Sequence, residues 1–319
     1  MASSELNRSI LRASSLEVGD RTFIWGERTF LMGILNLTSE SFSGDGLLAT
    51  VPGSLGVWEE NGTIQTTLDR ARRFVAAGVD ILDVGGESTR PGASPIDIEE
   101  ELRRVVPVIR ALKNELDIII SIDTYKHQVA DEALRAGAHM VNDVWGLRTD
   151  PDLAFVAAKY HAPIILMHNR SSWAHTEIKE RLGGHYVGVP YDDLFEDVRR
   201  ELMESVDLAR QAGIPDERIV LDPGIGFGKT VEQNLELINN LQEIRSLGYP
   251  LLVGPSRKSF IGFTLNLPPD QRLEGTAAAV AVSIVRGADI VRVHDVEFMM
   301  HVVRMTDAIV RRRPSKVNK

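Results

Sequence analysis

The chain has 319 residues, 43% hydrophobic and 25% charged, a composition that suits a soluble globular protein with a sizeable core. A net charge of −9 excludes general affinity for nucleic acid or an acidic membrane surface, though not a local basic pocket, and the absence of cysteine excludes disulfides, thiolate metal ligands and a cysteine nucleophile. The start MASSELNRSI lacks the apolar core of a signal peptide and no run approaches membrane-spanning length, so a cytoplasmic protein is expected.

Residues 1–15 read as a flexible polar segment, and the short apolar pieces of 16–30, around Gly19 and Gly26, predict a β-hairpin. The apolar run FLMGIL then ends at Asn36, before a Gly/Ser-rich loop over 38–61 that is long enough to be functional. A helix is predicted over 63–77, closed by Gly78, followed by a strand over 79–84 whose polar end runs from Asp83 to Glu87. Loop 85–97 and a Glu/Arg-rich helix to about 114 lead to strand 117–122, which ends at Asp123, and to helix 125–136, closed by Gly137. Strand 138–142 ends at Asn142 and Asp143 before a helix over 151–160; strand 163–168 ends at His168 before a long loop, 169–188, and a helix over 192–212. Strand 218–222 ends at Asp222, helix 231–247 follows, and strand 250–254 runs into Ser256 and Lys258. One or two helices over 270–286, a strand over 288–294 bearing Arg292 and His294, and a closing helix over 297–312 complete the chain.

Short runs rich in Ile, Val and Leu are strands buried on both faces. Eight of them alternating with helices predict a TIM (β/α)8 barrel, with the 16–30 hairpin at its closed end. Chemistry in that architecture sits at the C-terminal strand ends, where all eight polar endings fall. With no low-complexity linker, residues 16–314 form a single domain, followed by a basic tail at 315–319.

The strongest local signal is Asp222-Pro-Gly-Ile-Gly-Phe-Gly-Lys229. Its carboxylate can accept two parallel hydrogen bonds from an amidine-like edge, and its glycines let backbone approach a flat ligand; a capped tight turn is the alternative. Phe227 lines that pocket. Asp123 and Asn142 close adjacent strands and complete a polar cradle for a heterocycle, unless each merely caps a helix. Asp143 points elsewhere. In the loop after strand two, Thr89 offers a hydroxyl, Arg90 a guanidinium fork suited to phosphate, and Pro91 with Gly92 shapes a fold-over; a surface turn is the alternative. Lys258 can donate to a ring nitrogen or carbonyl, while Arg257 is structural. Arg292 and His294 share a strand face after strand eight, where this architecture usually binds phosphate. The Asn36 amide oxygen is an acceptable Mg²⁺ ligand, or a mere loop contact. His175 and His185, in the long loop, read as surface residues.

The segments MGILNLTSESFS, DILDVGGESTRPGA, SIDTYK, VNDV, LMHNR, LDPGIGFGK, GPSRKSFIG and RVHD, in this order from Met32 to His294, resemble the dihydropteroate synthases of folate biosynthesis. The resemblance implies condensation of (7,8-dihydropterin-6-yl)methyl diphosphate with 4-aminobenzoate, Mg²⁺ as cofactor, and a homodimer paired through late barrel helices. It implies that Asp123, Asn142, Asp222 and Lys258 hold the pterin, bordered by Phe227, Met167 and Gly254, and that Asn36, Arg90, Arg292 and His294 hold the diphosphate, with Asn36 on the metal. Thr89, Pro91, Phe42 and Ser256 would border 4-aminobenzoate, and Lys258, Arg292, His294 and Asp123 carry the catalysis. The family's first loop usually reads T-P-D-S-F-S-D-G-G; here it is Thr38-Ser39-Glu40-Ser41-Phe42-Ser43-Gly44-Asp45-Gly46, which implies altered sulfonamide sensitivity. Two rivals share the cradle: a methyltetrahydrofolate–corrinoid methyltransferase and a non-catalytic pterin-binding paralogue. The first has no use for the cations after strands two, seven and eight.

Overall fold

The computed structural model describes residues 11–38, 46–47, 59–89, 93–179 and 181–311. Strands β1 (Ser15–Val18) and β2 (Arg21–Ile24) form an antiparallel hairpin. They are followed by β3 (Phe30–Asn36), β4 (Ile81–Gly85), β5 (Ile119–Asp123), β6 (Met140–Asp143) and β7 (Ile164–Met167). A second antiparallel hairpin, β8 (Thr176–Lys179) with β9 (Gly183–Tyr186), precedes β10 (Ile219–Asp222), β11 (Leu252–Val253) and β12 (Ile290–Val293). The eight strands outside the hairpins form one parallel sheet in the order β10-β7-β6-β5-β4-β3-β12-β11. A parallel bridge between Leu221 and Leu251 joins its two ends, with the Leu221 N–H donating to the Pro250 carbonyl at 3.0 Å. The predicted barrel is therefore closed.

Around it lie α1 (Glu60–Ala77), α2 (Ile98–Glu115), α3 (His127–Ala136), α4 (Asp152–Lys159), α5 (Leu194–Gln211), α6 (Val231–Asn239), α7 (Leu241–Arg245), α8 (Ser259–Leu265), α9 (Leu273–Val285) and α10 (Val296–Val310). Their ends follow local chemistry. Asp97 and Asp193 cap α2 and α5, Thr230 and Gln233 form a capping box on α6, and Gly78 and Gly137 end α1 and α3 in the left-handed region.

Strand alternation sorts the core into two parts. Leu82, Val84, Ile120, Ile122, Val141, Ile164, Leu166, Leu221, Val253 and Val291 face outward and pack with the helices. Met32, Ile81, Ile119, Met140, Ile165, Val220, Leu252 and Ile290, at the strand starts, face inward and pack with Leu16, Val18, Phe23 and Trp25 of the first hairpin. Phe23 stacks on Phe30 at 4.5 Å and Trp25 meets Phe30 edge-on at 5.7 Å, so the hairpin plugs the closed end as expected. Two residues further along, or four on β5, the same parity turns Asp83, Asp123, Asn142, Met167, Asp222, Gly254 and Arg292 toward the open end.

Four expectations need correction. The loop expected over 169–188 contains the β8–β9 hairpin, which Arg272 ties to the body by donating to the Leu182 carbonyl at 2.8 Å. Within it His185 is buried against the Phe263 ring at 3.9 Å rather than on the surface, and His175 is half-buried. The helix expected over 231–247 breaks at Asn240, whose backbone (φ −124°, ψ 35°) leaves the helical region between α6 and α7. Helix α8 was not expected, because SFIGFTL carries a central glycine and β-formers; it packs against α6 and β9 instead of standing on propensity.

Candidate active site

Around the open end the inward residues form two arcs. Asp222 on β10, Met167 on β7, Asn142 on β6 and Asp123 on β5 occupy consecutive strands, in register Asp222–Met167 and Asp123–Asn142. Arg292 and His294 leave β12, Gly254 to Lys258 follow β11, and Asn36 ends β3 opposite Gly85. Phe42, Arg90 and Pro91 lie outside the described residues, as does most of the first loop; Thr89 is half-buried at the start of the second.

The arcs are joined through a residue that had no assigned role. Asp83, fully buried in the middle of β4, accepts from Arg292 Nε at 2.6 Å and from Asn142 Nδ2 at 3.0 Å on the same oxygen, Oδ2. Arg292 also pairs with Asp123 through its Nη2. Its guanidinium thus spans from β12 past β3 to β4 and β5. Burial opposes the charge, but the Asp83 and Asp123 carboxylates hold the guanidinium above its ordinary pKa. For Asp123, burial pushes the carboxyl up to about 7 against the pull of Arg292, with Asp83 adding repulsion. Asp123 caps no helix: the residue preceding α3 is Lys126.

Asp222 is 5% exposed, and its Oδ1 accepts the Gly224 N–H at 2.7 Å. Burial raises its pKa, and the Lys258 charge opposes that. Burial brings Lys258 down to about 7, with Asp222 opposing and Arg292 adding to the fall. The Lys258 Nζ donates to the Ile225 carbonyl and sits 4.2 Å from the Phe227 ring centroid. Asp222, Lys258 and Phe227 are thereby one assembly, as predicted from widely separated segments. The glycines of this loop serve it differently than expected. Gly224, Gly226 and Gly228 all have positive φ (71°, 83° and 61°). A Cβ on Gly224 would stand 1.8 Å from the His168 carbonyl oxygen, and one on Gly226 2.5 Å from Lys258 Cδ. Protein, not open ligand space, fills the room they leave.

Ser256 is buried; its Oγ accepts the His294 N–H at 3.2 Å and lies 3.0 Å from His294 Nδ1. Arg257, read as structural, is: its Nε donates to Asp295 at 2.9 Å. Asp143 is likewise local, accepting from the N–H groups of Trp145 and Leu147. Among the described residues, the one group of three side chains close enough to share an ion is His127, Asp150 and Asp152, which sits at the starts of α3 and α4, not in the strand-end ring. Asn36, at the end of β3 with the strand parity of Met32, carries a hard amide oxygen.

This combination of a carboxylate–amide arc with facing cations matches the sequence-based expectation, and comparison with known proteins supplies the family. A model of pterin binding enzymes matches residues 32–294. The chain belongs to the pterin binding enzyme family. Within that family it is 48% identical over 298 residues to the dihydropteroate synthase of Clostridium beijerinckii, covering 93% of this chain and 100% of that one. It is 45% identical to the dihydropteroate synthase of Bacillus subtilis, covering 89% and 90%. Among solved pterin-family structures, dihydropteroate synthase from Clostridium difficile in the presence of pteroic acid superposes with a TM-score of 0.77 at 47% identity, over 90% of this chain and 99% of that one. The Yersinia pestis dihydropteroate synthase with a sulfonamide drug complex gives 0.80 at 36% identity, over 92% and 98%.

Two things escaped sequence reasoning. Asp83 was named only as the start of a polar strand end and given no role, though a lone carboxylate at an inward position of a fully buried strand was a usable signal. The buried Lys229–His168–Glu201 chain had none, since its members lie on three separate segments.

Proposed function

We propose that this chain is a dihydropteroate synthase that joins (7,8-dihydropterin-6-yl)methyl diphosphate to 4-aminobenzoate, with residues 16–314 as its catalytic domain. The carrying observation is the pairing of the Asp222–Asn142–Asp123 arc with Lys258 and Arg292 across one barrel mouth. Carboxylates accept hydrogen bonds in pairs, which suits the amino and ring N–H edge of a pterin at Asp222, while Asn142 can both donate and accept. Lys258 supplies a proton donor for the ring's carbonyl or N5, and its pKa of about 7 lets it shed or hold charge as the ring does.

The reaction breaks the bond between the exocyclic methylene carbon and the diphosphate oxygen and forms a carbon–nitrogen bond to the arylamine, which then loses a proton. Negative charge grows on the departing oxygen. Arg292 and His294, with Arg90 from the second loop, would meet it, and preorganised cations stabilise such charge without reorganising. The cationic methylene that remains is spread over the pterin ring, beside Asp123 and Asp222. Thr89, Pro91, Phe42 and Ser256 would border the amine. When bound, Mg²⁺ acts as a Lewis acid on the diphosphate; Asn36 is the side chain that would hold it, since Mg²⁺ keeps most of its ligands as water and phosphate oxygen.

The homodimer belongs to the same proposal. Val282 and Val285 on α9, with Phe298, Met305 and Ile309 on the adjoining α10, are exposed large apolar side chains on packed neighbouring helices, which supports pairing there. The charge of the diphosphate substrate supports a cytoplasmic location, because such a molecule does not cross a bilayer unaided; among the described residues no helix is long and apolar enough to span one. Incubation with dihydropterin diphosphate, 4-aminobenzoate and Mg²⁺ should yield dihydropteroate and diphosphate. Pterin binding without product would sink the synthase assignment.

A further inference from the structure

Lys229, the last residue of the Asp222–Lys229 loop, is 2% exposed and packs against His168, just past β7, and against its own loop. Its Nζ donates to the carbonyls of Gly224 and Phe227, each at 3.0 Å, and lies 2.9 Å from His168 Nδ1. Behind it, His168 Nε2 lies 3.1 Å from a Glu201 carboxylate oxygen, an electrostatic contact not aligned as a hydrogen bond. Glu201 is in turn held by Arg148 at 2.9 Å and by Arg170, whose Nε donates at 2.9 Å. These cations keep Glu201 ionised, well below the ordinary carboxylate range although burial opposes them.

The nearby Glu201 carboxylate favours the imidazole proton on Nε2 electrostatically, which leaves Nδ1 a lone pair for Lys229. Burial brings His168 down to about 3, so the ring carries one proton only. Burial pulls the Lys229 ammonium well below its ordinary pKa, with the Asp222 charge opposing; three acceptors around Nζ are the arrangement that an ammonium satisfies in full. The three contacts tie the ring of residues 224–227 to the end of β7. That ring carries the Ile225 carbonyl and Phe227 side chain that hold Lys258, and the Gly224 N–H that holds Asp222. Close approach adds to the grip: a Cβ on Gly228 would stand 2.2 Å from the Arg170 carbonyl carbon.

We propose that Lys229 is a positioning residue for the pterin half of the site: clamped by His168 and Glu201, it fixes the loop that sets Asp222, Phe227 and Lys258. The inference deepens the pterin reading above and rests on it. Three variants test it. Lys229→Met removes the donors at similar length, Lys229→Arg keeps charge without the three-way fit, and Glu201→Gln frees the histidine tautomer. Binding of 6-hydroxymethylpterin is measured by calorimetry, KM for each substrate by steady-state kinetics, and the protonation of His168 by nitrogen-15 NMR on the wild-type protein. Lys229→Met should weaken the pterin probe and raise KM for dihydropterin diphosphate by about tenfold or more, as lost hydrogen bonds and a misplaced loop would. KM for 4-aminobenzoate should stay within about twofold, a split that general loosening of the fold would not produce. Wild-type His168 should show a proton on Nε2 and none on Nδ1. A proton on Nδ1, or equal shifts in both KM values, overturns the proposal. If Lys229→Met does not fold, the Lys229→Arg and Glu201→Gln splits and the wild-type tautomer decide it. Wild-type protein that binds the probe but makes no dihydropteroate refutes the synthase reading alone, because the binding comparison still stands.

Discussion

Replacing Asp83 with asparagine tests how the two arcs of the mouth are held together. Asp83 Oδ2 receives Arg292 Nε at 2.6 Å and Asn142 Nδ2 at 3.0 Å, and Oδ1 has no partner while fully buried. A hydrogen bond to a charged group contributes about 1.5–3 kcal/mol and an ordinary one about 0.5–1.5 kcal/mol. In Asp83→Asn an amide oxygen can keep weakened forms of both, but its new N–H groups enter the fully buried position where Oδ1 has no partner, and left unpaired they cost a further ~1–3 kcal/mol. The net loss is about 2–4 kcal/mol of stability, on the order of 3–6 °C in Tm for a domain of this size class. The larger effect is on turnover. With one carboxylate gone Arg292 keeps its ion pair with Asp123 but only a weakened bond at position 83, and a cation misplaced by about an ångström costs roughly 100-fold in kcat/KM. Circular dichroism melting and conversion of labelled 4-aminobenzoate measure the two effects separately. A variant that turns over within threefold of wild type well below its melting temperature would refute the positioning argument, however early it melts.

Asp222→Ala and Lys258→Ala should each lower kcat/KM by about 1000-fold or more, since each removes a buried charge facing the substrate; near-wild-type rates in either would unseat the site. Stability should depend on pH in opposite senses through two groups. Asp123, raised from 3.8 to about 7, contributes stability that is present at acid pH and lost as pH rises through about 7, while Lys258, lowered from 10.5 to about 7, contributes stability present at alkaline pH and lost as pH falls through about 7. Urea titration across pH should therefore show a minimum near neutrality that flattens in the Asp123→Asn, Lys258→Met double variant; an unchanged minimum contradicts both assignments. Chelation with EDTA should depress turnover at least ~10-fold with recovery on adding Mg²⁺, and Asn36→Ala should raise the Mg²⁺ concentration needed; EDTA-insensitive turnover would remove the metal from the mechanism.

The barrel was legible because a strand buried on both faces has one way to look in sequence: an unbroken apolar run that stops where it meets solvent or ligand. Asn36, Asp123, Asn142, Asp222 and Arg292 stood at those stops, so counting by two from the buried residues below them gave their direction as well. Reasoning failed where local pattern and tertiary support part company. The β8–β9 hairpin has short strands with exposed Glu177, Ile178 and Lys179, and its stability comes from Arg272 and from the His185–Phe263 stack, partners about 80 to 90 residues away in sequence. Helix α8 similarly depends on its neighbours.

By itself, then, the sequence determined the repeating unit, the parity that separates core from mouth, and which residue types reach the mouth. These follow from short-range rules about burial, which act on neighbours in the chain. Only the tertiary structure decided that Asp83 joins Arg292 to Asn142, that glycines 224–228 make room for His168, Lys258 and Arg170, and that Lys229 is a clamp. Each is a contact between segments that barrel closure brings side by side, and a buried charge acquires its partner, its proton and its purpose only once that closure is made.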